Sequence, residues 1–562
     1  MPELVDDVYQ CDVLVVGGGG AGARAAIEAR RHGADVLVVV KGLFGRSGCT
    51  VMAEGGYNAA FSFVDPSDSR EHHFEDTIIG GRWLNNQKLV EILVEHAPER
   101  LIELERFGAV FDRVEPEKYD QRYFGGQRFR RTVHRGDRTG HEMMSALKEE
   151  VYRLGIDVLE EVAITRLLLA DGAVAGATGL DLIHGRFLLF RAKAVVLATG
   201  GAGRVYAITT NPFQKTGDGY ALAYNAGAEL IDMEMVQFHP TGMVYPPSAS
   251  GLLVTEAVRG EGGKLYNALG ERFMLRYDQE RAELSTRDVV TKAIYREIAE
   301  GRGTEHGGVY LDVTHVPDEV IEQKLGTMLS QYLDVGVDIR REPMQVSPSA
   351  HHFMGGVRID PECRSSVPNL FACGECAGGV HGANRLGGNS LAETQVFGAI
   401  AGRSAALTAS KRSHARIDTA ALEEEHRRIY RFESGKGELP YTLRAELQRV
   451  MWEKVGIIRS RQSLEEALRK ISELRQRVEQ VGVESGLRYN LQLLTAVELE
   501  NMLLVAEMIA RSALLRTESR GAHYRSDYPE EDPRWVKNIV VSRADGGMLL
   551  RTADPVITKM PP

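Results

Sequence analysis

The sequence predicts an α/β fold, α+β when the whole chain is counted. A discontinuous Rossmann-like nucleotide-binding domain carries an inserted capping domain, and a helical domain and a small C-terminal domain follow. Three observations predict it. First, the glycine run Gly17-Gly18-Gly19-Gly20-Ala21-Gly22 stands between an apolar stretch, Val13–Val16, and an Ala/Arg/Glu-rich helical stretch, Ala21–Arg31, with a second apolar run at Val36–Val40. That is one βαβ unit with its phosphate-binding turn. Second, similar glycine segments return far downstream: after the apolar run Ala194–Leu197, at Met354-Gly355-Gly356, and between Gly374 and Gly398. Third, from about Ile231 to Ser349 the texture changes to short strands, Pro/Gly turns and polar helices, as an insert would.

These divisions place the nucleotide domain at 1–232 and 351–414, the cap at 233–350, the helical domain at 415–515 and the C-terminal domain at 516–562. Thr408–Ser413 reads as a polar linker into the helices. Ser463-Leu464-Glu465-Glu466 reads as a capping box, and Leu464, Leu468, Ile471, Leu474 and Val478 follow helical spacing, the mark of a face packed on the main body.

Composition narrows the function. At 562 residues the chain is too long for a single ordinary core. Its 43% hydrophobic and 26% charged content is that of a soluble globular protein. A net charge of −10 without a basic block argues against nucleic acid as a partner, but a local Arg/His pocket could still take a small anion. No apolar run is long enough to span a bilayer. The N-terminal stretch MPELVDDVYQCD has neither an apolar signal core nor a twin arginine, so a cytoplasmic location is expected. Five cysteines are too few and too scattered for a disulfide framework. Cys373 and Cys376 have redox-motif spacing but lack a thioredoxin context. No second pair completes a zinc or cluster site, so no metal is expected.

In the fingerprint, Gly17 permits the turn, Gly19 lets the backbone approach a pyrophosphate, and Gly22 allows close helix–strand packing. The acidic residue expected after the second strand for a ribose is replaced by Lys41. A simple NAD site is thereby weakened and a flavin favoured; only one such unit exists, so no separate nicotinamide site is encoded. Asp218, in Thr216-Gly217-Asp218-Gly219, and Glu375, in Cys373-Gly374-Glu375-Cys376, are the remaining acidic candidates for cofactor hydroxyls.

Scattered cationic and titratable residues indicate the substrate. They lie in Gln237-Phe238-His239-Pro240-Thr241-Gly242, in Thr255-Glu256-Ala257-Val258-Arg259-Gly260, in Ser285-Thr286-Arg287-Asp288-Val289-Val290, in Ala350-His351-His352-Phe353-Met354-Gly355-Gly356 and in His381-Gly382-Ala383-Asn384-Arg385-Leu386-Gly387-Gly388-Asn389-Ser390-Leu391. Any one of these histidines alone would more often be structural. In this order, and with Asp137-Arg138-Thr139-Gly140-His141 and Glu518-Ser519-Arg520-Gly521-Ala522-His523, the chain resembles the flavoprotein subunit of succinate dehydrogenase and fumarate reductase over most of its length.

The resemblance implies FAD as cofactor and a small dicarboxylate as substrate. His239, His351 and Arg385 would hold the two carboxylates with help from the Thr255 hydroxyl, and Arg287 would transfer a proton relayed by Glu256 and Arg259. It adds Thr50, Gly55, Gly56, Ser390 and Leu391, with Lys41, to the cofactor set. It also implies partners, an iron–sulfur subunit plus membrane-anchor subunits, with the assembly peripheral at the inner face of the cell membrane. The alternative for Arg287 is a structural ion pair with adjacent Asp288.

One departure stands out. The family commonly attaches FAD through a histidine in an Arg-Ser-His-Thr-Val segment, whereas this chain reads Arg46-Ser47-Gly48-Cys49-Thr50-Val51, with Cys49 in the histidine's place. Noncovalent FAD is therefore expected. That departure also suits L-aspartate oxidase, a relative with nearly the same carboxylate clamp. The segment Asn384–Asn389 and Thr241-Gly242 look closer to the succinate/fumarate branch. A noncatalytic flavin scaffold is the third reading, disfavoured by the presence of His239, Arg287, His351 and Arg385.

Overall fold

The fold is known from a computed structural model, which describes residues 4–562 apart from 434, 485, 545 and 546. The first three residues of the N-terminal stretch read for an export signal therefore lie outside the described residues.

The fingerprint sits where a Rossmann fold places it. The strand Asp7–Val16 leads into the helix Gly20–Arg31 and then the strand Val36–Val39. The first strand is longer than its apolar run, because residues 7–11 pair in parallel with the long strand Arg186–Leu197. The sheet has seven strands. Asp157–Leu159, Val36–Val39, Asp7–Val16, Arg186–Leu197 and Leu370–Ala372 run parallel, and Ala173–Asp181 and Val162–Ala170 extend it antiparallel. The strand Leu370–Ala372 joins the sheet from beyond the insert, so the nucleotide-binding unit is indeed built from distant stretches of chain.

Two glycines show why the turn needs them. Gly17 has φ +105°, a region closed to most side chains, and a Cβ on Gly22 would lie 1.9 Å from the Gly17 carbonyl oxygen. The helix can approach the strand that closely only without a side chain there. The helix Asn389–Ala409 packs against Gly20–Arg31 and is small-residue-rich; a Cβ on Gly402 would meet the Ala25 carbonyl at 2.1 Å.

The insert has its own sheet and core. Strands Val236–Met243, Met344–Phe353, Val309–Asp312 and Lys264–Tyr266 form a four-stranded antiparallel sheet. Around it gather Met243, Val254, Phe273, Ile294, Leu311 and Val346, a hydrophobic cluster separate from the main one.

Two local expectations need correction. The Thr408–Ser413 linker begins inside a helix, which continues to Ala409. The capping box lies three residues earlier than read: Ser460 is the cap of the helix Arg461–Val478, its hydroxyl accepting from the Ser463 N–H while the Ser463 hydroxyl accepts from the Ser460 N–H. Serine replaces the usual Glu at that third position, which hid the true cap. The C-terminal segment pairs with the main body. Its hairpin, Asn538–Ala544 and Gly547–Ala553, completes a five-stranded sheet with Leu230–Ile231, Gly356–Arg358 and Ala377–Gly378. The helical region likewise shares one hydrophobic cluster with the nucleotide domain. The helix positions Leu464, Ile471, Leu474 and Val478 are buried as the periodicity requires, with Leu468 half-buried.

Candidate active site

A cavity of about 1360 Å³ runs from the glycine turn to the interface with the insert. At one end Gly17–Ala21 and Lys41 line it; at the other are His239, Thr255, Glu256, Arg287, His351 and Arg385. Thr50, Gly55, Gly56, Asp218, Glu375, Ser390 and Leu391 lie along the walls between. Two predicted residues are not in the lining: Gly22, which acts by packing, and Arg259, which is buried behind Glu256.

The insert supplies most of the anion-binding end. His239 stands on the strand Val236–Met243 and His351 on its partner Met344–Phe353, with ring centroids 5.3 Å apart. Thr210 Oγ1 lies 2.8 Å from His351 Nδ1. A hydroxyl donating there leaves His351 Nε2–H free to donate to an anion. His239 Nδ1 lies 3.1 Å from the Thr241 carbonyl oxygen. Burial, then the cations Arg287 and Arg259, hold the His239 ring well below its ordinary range. Burial, then His239 and Arg385, do the same to His351. Both rings are therefore neutral at pH 7.

Arg287 opens the helix Arg287–Glu297 and pairs with Glu256, Nη2 to Oε2 at 2.8 Å and Nε at 3.0 Å. The alternative partner, Asp288, faces Lys292 at 3.5 Å. Arg259 Nη2 approaches the other Glu256 oxygen at 4.0 Å, while its Nη1 donates to the Glu283 carbonyl at 2.7 Å. The three predicted proton-relay residues are thus consecutive neighbours. Burial opposes charge on Glu256, but Arg287, Arg259 and Arg385 hold its carboxyl below the ordinary range, so it is ionised and able to accept a proton and hand it to Arg287. Burial, then Arg287, push the Arg385 guanidinium down to about 9.

Several donors at this end have no hydrogen-bond partner among the described residues. Arg287 Nη1, Arg385 Nε and Thr255 Oγ1 are buried and unbonded. Leaving such groups unsatisfied costs about 1–3 kcal/mol each, more when charged. A ligand with two carboxylates placed among them would satisfy them together.

At the cofactor end the acidic candidates Asp218 and Glu375 line the cavity and both hold protein donors. Lys41 Nζ donates to Thr216 Oγ1 at 2.8 Å and to Asp218 and Glu498 at 2.6 Å each. Asp218 also accepts from Asn501 at 3.0 Å. Glu375 is paired with Lys215 and accepts the Phe353 N–H at 3.1 Å. Both acids are thus engaged by protein donors before any cofactor hydroxyl is considered. Glu498 and Lys215 carried no motif and were not legible beforehand, and the same holds for Thr210.

Cys49 lines the cavity as a free thiol at the start of the short helix Cys49–Met52. Burial raises its pKa against the opposing influence of Lys215. Cys376 is buried and pushed up to about 11, burial holds Cys373 well above its ordinary range, and both are free, so the pair has no reactive thiolate. No metal motif was read, yet His352, His381 and Glu393 bring potential ligand atoms within 4.8 Å of one another. His381 Nε2 and Glu393 already bond at 2.9 Å. Burial, then Arg385, His381 and Lys215, hold His352 well below its ordinary range, and surroundings so cationic disfavour a further cation.

Comparison with known proteins decides the family. A profile described as an FAD binding domain matches residues 12–391, and one described as fumarate reductase flavoprotein C-term matches residues 444–562. The fumarate reductase flavoprotein subunit of Escherichia coli (strain K12) is 38% identical over 99% of this chain and 95% of its own length. The chain belongs to the succinate dehydrogenase and fumarate reductase flavoprotein family. Another member, a fumarate reductase (CoM/CoB) subunit from Methanothermobacter marburgensis, is 59% identical over 96% of this chain and 98% of its own length. A solved E. coli quinol fumarate reductase chain superposes with a TM-score of 0.93 at 37% identity, covering 99% of this chain and 98% of that one.

As a member of this family the chain is an FAD-dependent oxidoreductase. Its residues fit the cofactor. The helix Gly20–Arg31 begins at the cavity wall with its Gly20 N–H donated to Thr50 Oγ1 at 3.1 Å, and a Cβ on Gly19 would meet nothing closer than the same oxygen at 3.5 Å, so the glycine end of the cavity has room for a pyrophosphate. Ser390 and Leu391, at the start of the helix Asn389–Ala409, line the same space.

Proposed function

We propose that this flavoprotein interconverts fumarate and succinate, working in the direction of fumarate reduction. The observation that carries the reading is the set of buried, unpartnered donors on Arg287, Arg385 and Thr255, converging with His239 and His351 in the cavity that also holds the FAD site. Bound FAD supplies hydride chemistry. Arg385, His239, His351 and Thr255 hold the two carboxylates and stabilise the charge that builds on one of them as the alkene is attacked. Hydride brings two electrons and one proton-equivalent to one alkene carbon. Arg287 delivers H⁺ to the other and is reprotonated through Glu256 from Arg259. Free arginine is a poor acid, above about 12. The placement of Arg287 against Glu256 and at the anion-binding end of the cavity supplies the proximity that such a transfer needs.

FAD is held without a covalent link, since Cys49 replaces the attachment histidine and its thiol stays protonated. Acid or denaturant is expected to release the flavin, leaving a colourless polypeptide on a denaturing gel. In-gel flavin fluorescence would refute this.

The two electrons need a source. Among the described residues the one metal-capable cluster is His352, His381 and Glu393, which is not an iron–sulfur ligand set. No helix among the described residues is long and apolar enough to cross a membrane. A separate iron–sulfur subunit is the proposed donor, with any membrane contact made through anchor subunits. That the relatives from E. coli and M. marburgensis are each named as one subunit of a fumarate reductase supports this. Fumarate and succinate turnover with artificial electron carriers tests the reading, against aspartate-dependent peroxide formation by the isolated chain. Aspartate oxidation without fumarate turnover would assign the chain to the oxidase alternative. Rapid turnover of the lone chain with oxygen would remove the need for a partner.

Dicarboxylate affinity should weaken at high pH. Arg385 must be cationic to hold a dianion, and its folded, ligand-free pKa is about 9. Affinity is therefore fully present below that value and is lost as pH rises through it, by up to about tenfold per unit. Titration of fumarate against the flavin spectrum from pH 7 to pH 10 measures it, and a flat profile would exclude Arg385 from the clamp.

A further inference from the structure

Arg385 differs from the other buried cations of the cavity. Arg287 has Glu256 and Lys215 has Glu375, but among the described residues no carboxylate lies within ion-pair distance of Arg385. Its side-chain partner is a neutral amide: Arg385 Nη2 donates to Gln237 Oε1 at 3.0 Å. The other end of the same amide faces acceptors. Gln237 Nε2 donates to the Arg385 backbone carbonyl at 2.9 Å and to Asn384 Oδ1 at 2.7 Å. A flipped amide would set NH₂ against the guanidinium and oxygen against two acceptors, so the orientation is fixed by its neighbours.

Gln237 is 2% exposed. It precedes His239 by two residues on the strand Val236–Met243 and, beside a register irregularity between Gln237 and Phe238, pairs across the sheet with His352, next to His351. One amide therefore connects the strands bearing both histidines to the loop bearing Arg385. A carboxylate in its place would bind the guanidinium more strongly, but would neutralise it and compete with an incoming anion. A neutral amide orients the cation and leaves its charge available.

We propose that Gln237 is a positioning residue that fixes the Arg385 guanidinium with its Nε edge free and its charge uncompensated, so that a dianionic substrate supplies the counter-charge. The inference rests on the dicarboxylate reading of the site. Its pH signature belongs to Arg385. The groups bearing on that guanidinium are Arg287, Glu375, Glu393 and Glu256, the three acids being paired with Lys215, His381 and Arg287 respectively. The neighbouring rings of His239, His351 and His352 all stay neutral above pH 7.

The test uses the FAD-loaded protein and its Gln237→Glu and Gln237→Met variants. Fumarate and succinate are titrated by flavin absorbance from pH 6.5 to 10, with KM and kcat measured using an artificial donor. Loss of a hydrogen bond to a charged group predicts a Kd weakened roughly 10- to 100-fold in Gln237→Met, with KM following Kd and a smaller loss in kcat. In Gln237→Glu the weakening is at least as large, and the alkaline midpoint moves upward because a carboxylate stabilises the cation. A merely structural residue would not move that midpoint. Either variant binding within twofold of wild type, or an unmoved midpoint in Gln237→Glu, overturns the proposal. Loss of FAD from both variants before ligand is added also overturns it, placing Gln237 in the cofactor wall. Wild-type protein that binds neither dicarboxylate removes the underlying reading and this inference with it.

Discussion

Replacing Arg287 by Lys is expected to lower turnover by roughly 10²- to 10⁴-fold, the range for losing a positioned general acid, while dicarboxylate affinity changes only a few-fold. Arg287 meets one Glu256 oxygen through two nitrogens, Nε and Nη2, leaving Nη1 buried and unbonded toward the cavity. A lysine ammonium keeps the charge but has a single nitrogen. It can neutralise Glu256 or reach the substrate carbon, but cannot do both in one geometry, so the relay is broken. Since Arg385, His239 and His351 remain, ground-state binding persists, and a fall in kcat at nearly constant Kd is the signature of a group acting in the transition state. A variant that turns over near the wild-type rate would remove Arg287 from the chemistry. One that loses binding and turnover in step would make it a carboxylate ligand instead.

How much of this was legible beforehand follows the length scale of each signal. The βαβ turn was visible because a close backbone approach demands glycine at fixed spacing, as at Gly17 and Gly22. His239, Arg287, His351 and Arg385 stood out because each lies in a segment dense in Gly, Pro or other polar residues, and the fold brings all four to one cavity. Residues that act by orienting others had no such mark. Thr210 and Gln237 are ordinary polar residues until His351 and Arg385 are seen beside them. The capping box was misplaced because Ser463 occupies the third position, where the pattern sought a Glu. Lys41 was read as an oddity of the cofactor site, because its partner Glu498 is 457 residues away in sequence.

That last contact carries the second large effect. Lys41→Met is expected to cost about 3–5 kcal/mol, the range for removing one partner of a buried ion pair. Lys41 stands just after the strand Val36–Val39, Asp218 opens the helix Asp218–Asn225, and Glu498 lies within the helix Leu491–Leu515, so one ammonium joins the nucleotide domain to the helical region. Burial, joined by Asp218, already raises the Glu498 carboxyl against the pull of Lys41. Without Lys41 two buried carboxylates face each other with only Asn501, Thr216 and a more distant Arg444 to balance them. The sign of the pH dependence follows. A carboxyl whose folded pKa lies above its unfolded value destabilises the fold above that folded pKa, and the penalty is relieved as pH falls through it. The defect of Lys41→Met should therefore be largest at pH 8 and shrink toward pH 5, and adding Glu498→Gln should restore part of the loss at pH 8. Thermal unfolding of the FAD-loaded protein across that range reads both effects. A defect independent of pH, or a double variant no more stable than Lys41→Met alone, would show that the ammonium acts through packing rather than through the charges it joins.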